Sequence, residues 1–242
     1  MSPNATFAAA IPFAAAVLAR SERRAGSRHR TPAEACAQAW ARAEHSGDEA
    51  LVRQARLELA ATCRADRSTS ATRQVYGTLI DTFEDLPGAR GVVEYDLAVL
   101  LSEAWQRGEN VSVEDALAHF DRASVMLMVD GDTAVLAQLE TDQAVLEFAS
   151  GDTASAVMSI ERALERWRAL GNELRVAETL LTLGDCLDAA DQPGGAIRRY
   201  REAETLFRAL GDSLSANAAA VRAELVVQRS DAPTLIDLRR HR

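Results

Sequence analysis

The chain has 242 residues, 48% of them hydrophobic but only 5% aromatic, with a formal net charge of -9. That suffices for one large or two small domains, with alanine and leucine rather than aromatics filling the core. All 27 basic residues are arginine, and residues 31–238 hold 35 acidic residues against 19 arginines, a balance that repels phosphate and argues against nucleic-acid binding by the chain itself.

Residues 1–30 open with an apolar run from Ala5 to Ala19, broken by Pro12 and followed by Arg20, Arg23, Arg24, Arg28 and Arg30. A secretory signal carries its positive charge ahead of the apolar run, and this one has none there. Fifteen residues are also short for a membrane span. The expectation is a flexible leading segment, no membrane partner and a cytoplasmic location. Thr31-Pro32-Ala33-Glu34 has the capping-box pattern with proline at the first helical position, so a helix is predicted from Pro32 to His45. Ser46-Gly47-Asp48 breaks it. A second helix is predicted over Glu49–Arg64 and a third from Ser68 to Phe83, closed by Leu86-Pro87-Gly88.

From residue 91 the helices fall on a grid of 40. Ala116, Ala156 and Ala196 share one position; so do Phe120, Ile160 and Tyr200, then Ala123, Ala163 and Ala203, then Leu127, Trp167 and Phe207. Gly131-Asp132, Gly171-Asn172 and Gly211-Asp212 follow at the same interval, and Ala104, Ala144 and Gly184 mark a small position in each preceding helix. The grid extends backwards less regularly, with Trp40 and Ile80 in the place of Phe120, and Ala43 and Phe83 in that of Ala123. A fixed period of this size means stacked supersecondary units, none of which buries its apolar face alone.

Leu183-Gly184, Leu187, Ala196, Tyr200 and Ala203 resemble the tetratricopeptide repeat. Leu187 replaces the usual aromatic, Leu180 the frequent tryptophan, and Arg208 stands near the expected proline. The period is longer than the usual ~34 residues, and the surplus is expected in the connections around 167–172 and 207–212. The resemblance implies an all-α fold, a right-handed α-solenoid of stacked antiparallel helix pairs. Its clear units are 97–136, 137–176 and 177–216, preceded by divergent repeats or a cap over 31–96 and closed by a truncated unit over 217–242. Longer repeats of this kind look like those of scaffold proteins and of the C-terminal arrays of bacterial regulators.

No motif for catalysis stands out. The sequence has no phosphate-binding loop with lysine, no His-Glu-x-x-His, no Gly-x-Ser-x-Gly and no Cys-x-x-Cys. Cys36, Cys63 and Cys186 are odd in number and spaced like small apolar residues, which favours free thiols in a reducing compartment. His119 reads as an ordinary exposed helix histidine. No enzymatic activity, cofactor or metal is expected.

In the repeat that the chain resembles, the first helix of each unit lines a concave groove. Carried over by position, the partner-binding residues are Leu101, Trp105, Asp142, Val145, Phe148, Glu178, Leu181, Asp185, Asp188 and Arg222, with Thr141, Val221 and Leu225 beside them. Trp105, Val145, Phe148 and Leu181 are apolar anchors. Glu178, Asp185 and Asp188 lie near one helix face, and Arg222 is the one positive charge placed with them. The lysine and asparagine of the family's carboxylate clamp are missing, which argues against acidic peptide ends as ligands. The expected function is a non-catalytic adaptor that binds a basic and apolar segment of a protein or peptide in an acidic groove. The alternative is a regulatory receptor that senses a peptide or signal and controls a partner regulator. The Arg239–Arg242 tail is a basic segment of the kind that such a groove would take, and so a route to self-association.

Overall fold

The computed structural model describes residues 31–66, 68–130 and 132–231. The flexible leading segment and the arginine-rich tail expected from the sequence lie outside the described residues. Among the described residues the chain forms ten α-helices and no strand: α1 (Pro32–Ser46), α2 (Glu49–Asp66), α3 (Thr69–Thr82), α4 (Pro87–Gln106), α5 (Val113–Asp130), α6 (Thr133–Ser150), α7 (Thr153–Ala169), α8 (Glu173–Ala189), α9 (Pro193–Ala209) and α10 (Ser213–Asp231). Contacts divide the chain into two compact units between Met126 and Leu127.

In the first unit, α1 starts on the predicted capping box: Thr31 accepts from the Glu34 amide while the Glu34 carboxylate accepts from the Thr31 amide. It stops at Gly47, whose φ of 69° supplies the left-handed cap that other residues rarely adopt. α1 packs on α2 and α3, and α3 packs on α4. Trp40 and Phe83, both without exposed surface, meet with ring centroids 5.9 Å apart. Arg56 of α2 makes two 2.6 Å hydrogen bonds to Asp96 of α4. Burial pushes the Asp96 carboxyl above its ordinary pKa, against the pull of Arg56. His119 is not the exposed histidine expected: its Nδ1 lies 2.5 Å from Oε2 of Glu94, a carboxylate only 3% exposed that Arg122 also reaches at 3.2 Å. A buried carboxylate on α4 draws the histidine of α5 inward, and periodicity within α5 alone carries no trace of that.

In the second unit the 40-residue grid is physical. First helices start at Thr133, Glu173 and Ser213, and second helices at Thr153 and Pro193. Asp132, Asn172 and Asp212 stand before the first helices, and each side chain accepts from a backbone amide two or three residues on. The caps therefore phase the repeat. The longer period does not lie in longer connections, as expected from the sequence. α8 and α9 have 17 residues each, and only residues 190–192 and 210–212 separate α8, α9 and α10. Residues 167–169 and 207–209 are still helical, so the surplus is helix.

The core follows the grid. Ala156 and Ala196, Ile160 and Tyr200, and Ala163 and Ala203 have at most 2% of their surface exposed. All of these but Ala156 pack with Ala144, Leu180, Leu183, Trp167 and Phe207 into one cluster, joined by Ala216, Ala219, Ala223 and Val226 of α10. Burying such side chains stabilises by about 25 cal/mol per Å² of apolar surface. α6 pairs with α7, α8 with α9, and α10 packs on α9.

Candidate partner-binding face

The first helices of the second unit bury one stripe and leave another open. On α10 the buried stripe is Ala216, Ala219, Ala223 and Val226, while Val221 and Leu225 are 58% and 53% exposed. On α6, Val145 and Phe148 are 41% and 37% exposed although Ala144 and Leu146 beside them are fully buried. On α8, Glu178 is exposed, and Leu181, half-buried, packs against the core. Thr141 and Asp142 of α6 are half-buried, with Gln138 donating to Asp142 at 2.9 Å.

These helices converge on an open pocket of ≈ 680 Å³ lined by Phe148, Asp185, Asp188, Ala189, Asp191, Pro193, Arg229 and Ser230. The C-terminal turns of α6, α8 and α10 supply most of that wall. The helix C-termini of α6 and α8 favour positive charge, against the single N-terminus of α9. Asp185 accepts a 2.7 Å hydrogen bond from the Tyr200 hydroxyl and lies 3.3 Å from Arg222. Burial, reinforced by Asp185, raises the Tyr200 pKa and keeps the phenol a neutral donor. Arg229 donates to Asp188, and that bond raises the guanidinium pKa. Glu178 pairs with Arg175 at 3.0 Å.

Of the residues expected from the sequence, Phe148, Asp185 and Asp188 meet at this pocket, and Arg222 joins them through Asp185. Two expectations are corrected. Leu101 has no exposed surface and offers a partner nothing: Cys63, Arg64, Thr69 and Thr72 of α2 and α3 share a small void with it, so further helices cover the position. Trp105, four residues on in the same unit, is half-buried. Nor is Arg222 the only cation on the face, because Arg229 sits on Asp188 and Arg175 on Glu178. The signal for Arg229 was present: it lies seven residues after Arg222, two helical turns along one face. Asp191 reads in the sequence as turn chemistry alone. Its φ of 56° is indeed a left-handed turn value, yet the residue lines the pocket.

Comparison with known families matches residues 135–209 to the model described as "Tetratricopeptide repeat". Residues 135–209 belong to the tetratricopeptide repeat family. The match runs from α6 to the end of α9, so the repeats carry Phe148, Asp185, Asp188 and Asp191, while Arg222 and Arg229 stand on the helix that follows. The chain is also similar to the crystal structure of BtubC (BKLC) from P. vanneervenii, with a TM-score of 0.52 and 16% identity over 84% of this chain and 92% of that one. At that identity the likeness is one of fold. No curated protein sequence matches the chain. Tetratricopeptide repeats are protein-interaction scaffolds, and that general role applies to this array. Among the described residues no helix is long and apolar enough to cross a membrane, and no cluster of His, Cys, Asp and Glu is arranged to hold a metal ion.

Proposed function

We propose that the chain is a non-catalytic adaptor that holds a basic and apolar segment of a protein partner on the open face of α6, α8 and α10. The observation that carries this reading is the juxtaposition of exposed apolar side chains with uneven charge. Val145, Phe148, Val221 and Leu225 stand open on helices whose buried stripes are already satisfied. On α6 Glu140 and Glu147 are buried, which leaves Asp142 and no basic residue toward the open side; α8 contains Glu173, Glu178, Asp185 and Asp188 against Arg175 alone. The second helices are the reverse, with Arg162, Arg166 and Arg168 on α7 and Arg198, Arg199, Arg201 and Arg208 on α9 outnumbering their acidic residues. Negative potential therefore gathers on the first-helix side and steers cationic segments there. The arginines already on the face temper the field without cancelling it, and the apolar anchors supply the desolvated contact. The Arg239–Arg242 stretch of a second copy is one segment of this chemistry. Free thiols at Cys36, Cys63 and Cys186 suit a reducing, cytoplasmic setting.

The test is a fluorescence-anisotropy titration with the labelled peptide Gly-Leu-Arg-Phe-Arg-Leu-Gly. The expected result is binding that weakens with salt and falls about tenfold in a Phe148→Ala, Val221→Ser double variant of unchanged helicity. Absence of binding, or equal binding by the variant, rejects this face as the partner site.

A further inference from the structure

The ≈ 680 Å³ pocket holds three carboxylates, and they are not equivalent. Asp185 is engaged by Tyr200 and Arg222, and Asp188 by Arg229. Asp191 is exposed, and its side chain makes no hydrogen bond or ion pair among the described residues. Its backbone is fixed: the Asp191 amide donates to the Asp188 carbonyl at 3.1 Å, and that of Gln192 to the Leu187 carbonyl at 2.9 Å. The turn thus holds one uncompensated carboxylate at the rim, beside the C-terminal end of α8. Phe148, 37% exposed, supplies an aromatic wall to the same pocket.

From this arrangement we infer that the pocket is the subsite for a single arginine or lysine side chain of the partner, read by Asp191. The aliphatic stem lies along Phe148 and the cationic head pairs with Asp191, which combines a cation's two natural partners, an aromatic face and a carboxylate. Arg222 and Arg229 hold the other two carboxylates in place, so the partner's cation need displace neither. This deepens the adaptor reading and rests on it.

Asp191→Asn is a clean probe. Asparagine accepts a positive φ as readily as aspartate, so the turn survives while the charge goes. The experiment compares Gly-Leu-Arg-Phe-Arg-Leu-Gly with the same peptide carrying citrulline, the neutral isostere of arginine, at both positions. Wild-type protein should prefer the arginine peptide by about fivefold, the scale of a single partly exposed ion pair, and Asp191→Asn should abolish that preference. Arg229→Gln should leave the preference within about twofold of wild type. A preference that survives Asp191→Asn overturns the assignment. So does a preference that Arg229→Gln sharply increases while Asp191→Asn leaves it alone, because the cation then competes for Asp188 instead. If both peptides bind alike, the face still takes apolar segments and only the subsite fails. If neither binds, the subsite falls with the adaptor reading.

Discussion

A Cβ built on Gly184 would stand 2.5 Å from Cε1 of Tyr200, and the Tyr200 hydroxyl in turn donates to Asp185, the next residue of the same helix. The ring is held from both ends: α8 presses on its edge and the carboxylate fixes its tip. Only 2% of its surface is exposed, so it has little room to yield. At the equivalent positions one and two repeats earlier stand Ala144 with Ile160 and Ala104 with Phe120, all buried, with alanine in place of the glycine. Glycine at 184 is thus the price of a tyrosine that also reaches Asp185.

Gly184→Ala should therefore destabilise. Alanine gains about 1 kcal/mol of helix propensity, but overpacking costs about 1–3 kcal/mol and the hydroxyl is levered off Asp185. We expect a net loss of about 1–2 kcal/mol by denaturant unfolding. In a Tyr200→Leu background the same substitution should be neutral or stabilising. A similar loss in both backgrounds would show that the ring is not the obstacle.

Ala156 and Ala196 test the grid at a second point. Both have no exposed surface, and each opens a second helix against its neighbours. Tryptophan at either position should cost about 3 kcal/mol or more, or prevent folding, because the ring replaces a fully buried methyl in a close-packed interior. Arg198, two residues from Ala196, is exposed, and Arg198→Trp should change stability by less than about 0.5 kcal/mol. Comparable melting temperatures for Ala196→Trp and Arg198→Trp would contradict the packing.

The buried positions were legible because they repeat. Ala116, Ala156 and Ala196 are all without exposed surface, and three recurrences of one small residue leave little else for that position to be. Asp185 and Asp188 were legible by helical spacing, which places both at one pocket, while Glu178, two turns earlier, pairs with Arg175 outside it. The cations that engage them were less so, since an ion pair between α8 and α10 depends on the packing of one repeat on the next, which periodicity within a helix does not contain. Leu101 failed for a related reason. The position that is half-buried at Thr141 and Leu181 and exposed at Val221 faces α2 and α3 in the first unit, where further helices cover it. Asp191 was hidden by a correct local reading: a turn residue can be chosen for its φ and still line a pocket.

Two glutamates on α6, seven residues apart and both at most 5% exposed, should respond to mutation in opposite directions. Glu140 is paired, with Arg162 at 3.2 Å and Arg166 at 2.8 Å from its two oxygens. Glu140→Ala removes those bonds, and the half-exposed arginines recover only part of the loss from water. The expected cost is about 1–2 kcal/mol. Glu147 accepts from Gln143 at 3.0 Å through Oε1, but its buried Oε2 has no hydrogen-bond partner among the described residues. Burial pushes its pKa above the ordinary carboxylate value, and Ser159 and Gln143 pull it only partly back. In the folded chain Glu147 therefore keeps its proton over a range in which the unfolded chain has released it. Stability is then greatest below the ordinary carboxylate range and falls as pH rises through that range to the higher folded value. Glu147→Gln removes the titration and keeps an acceptor for Gln143. It should leave the melting temperature unchanged at about pH 4 and raise it at about pH 7.5, by an amount corresponding to about 1 kcal/mol. A melting temperature that drops at the higher pH would mean that the Glu147 carboxylate is satisfied after all, and that it holds α6 in place as Glu140 does.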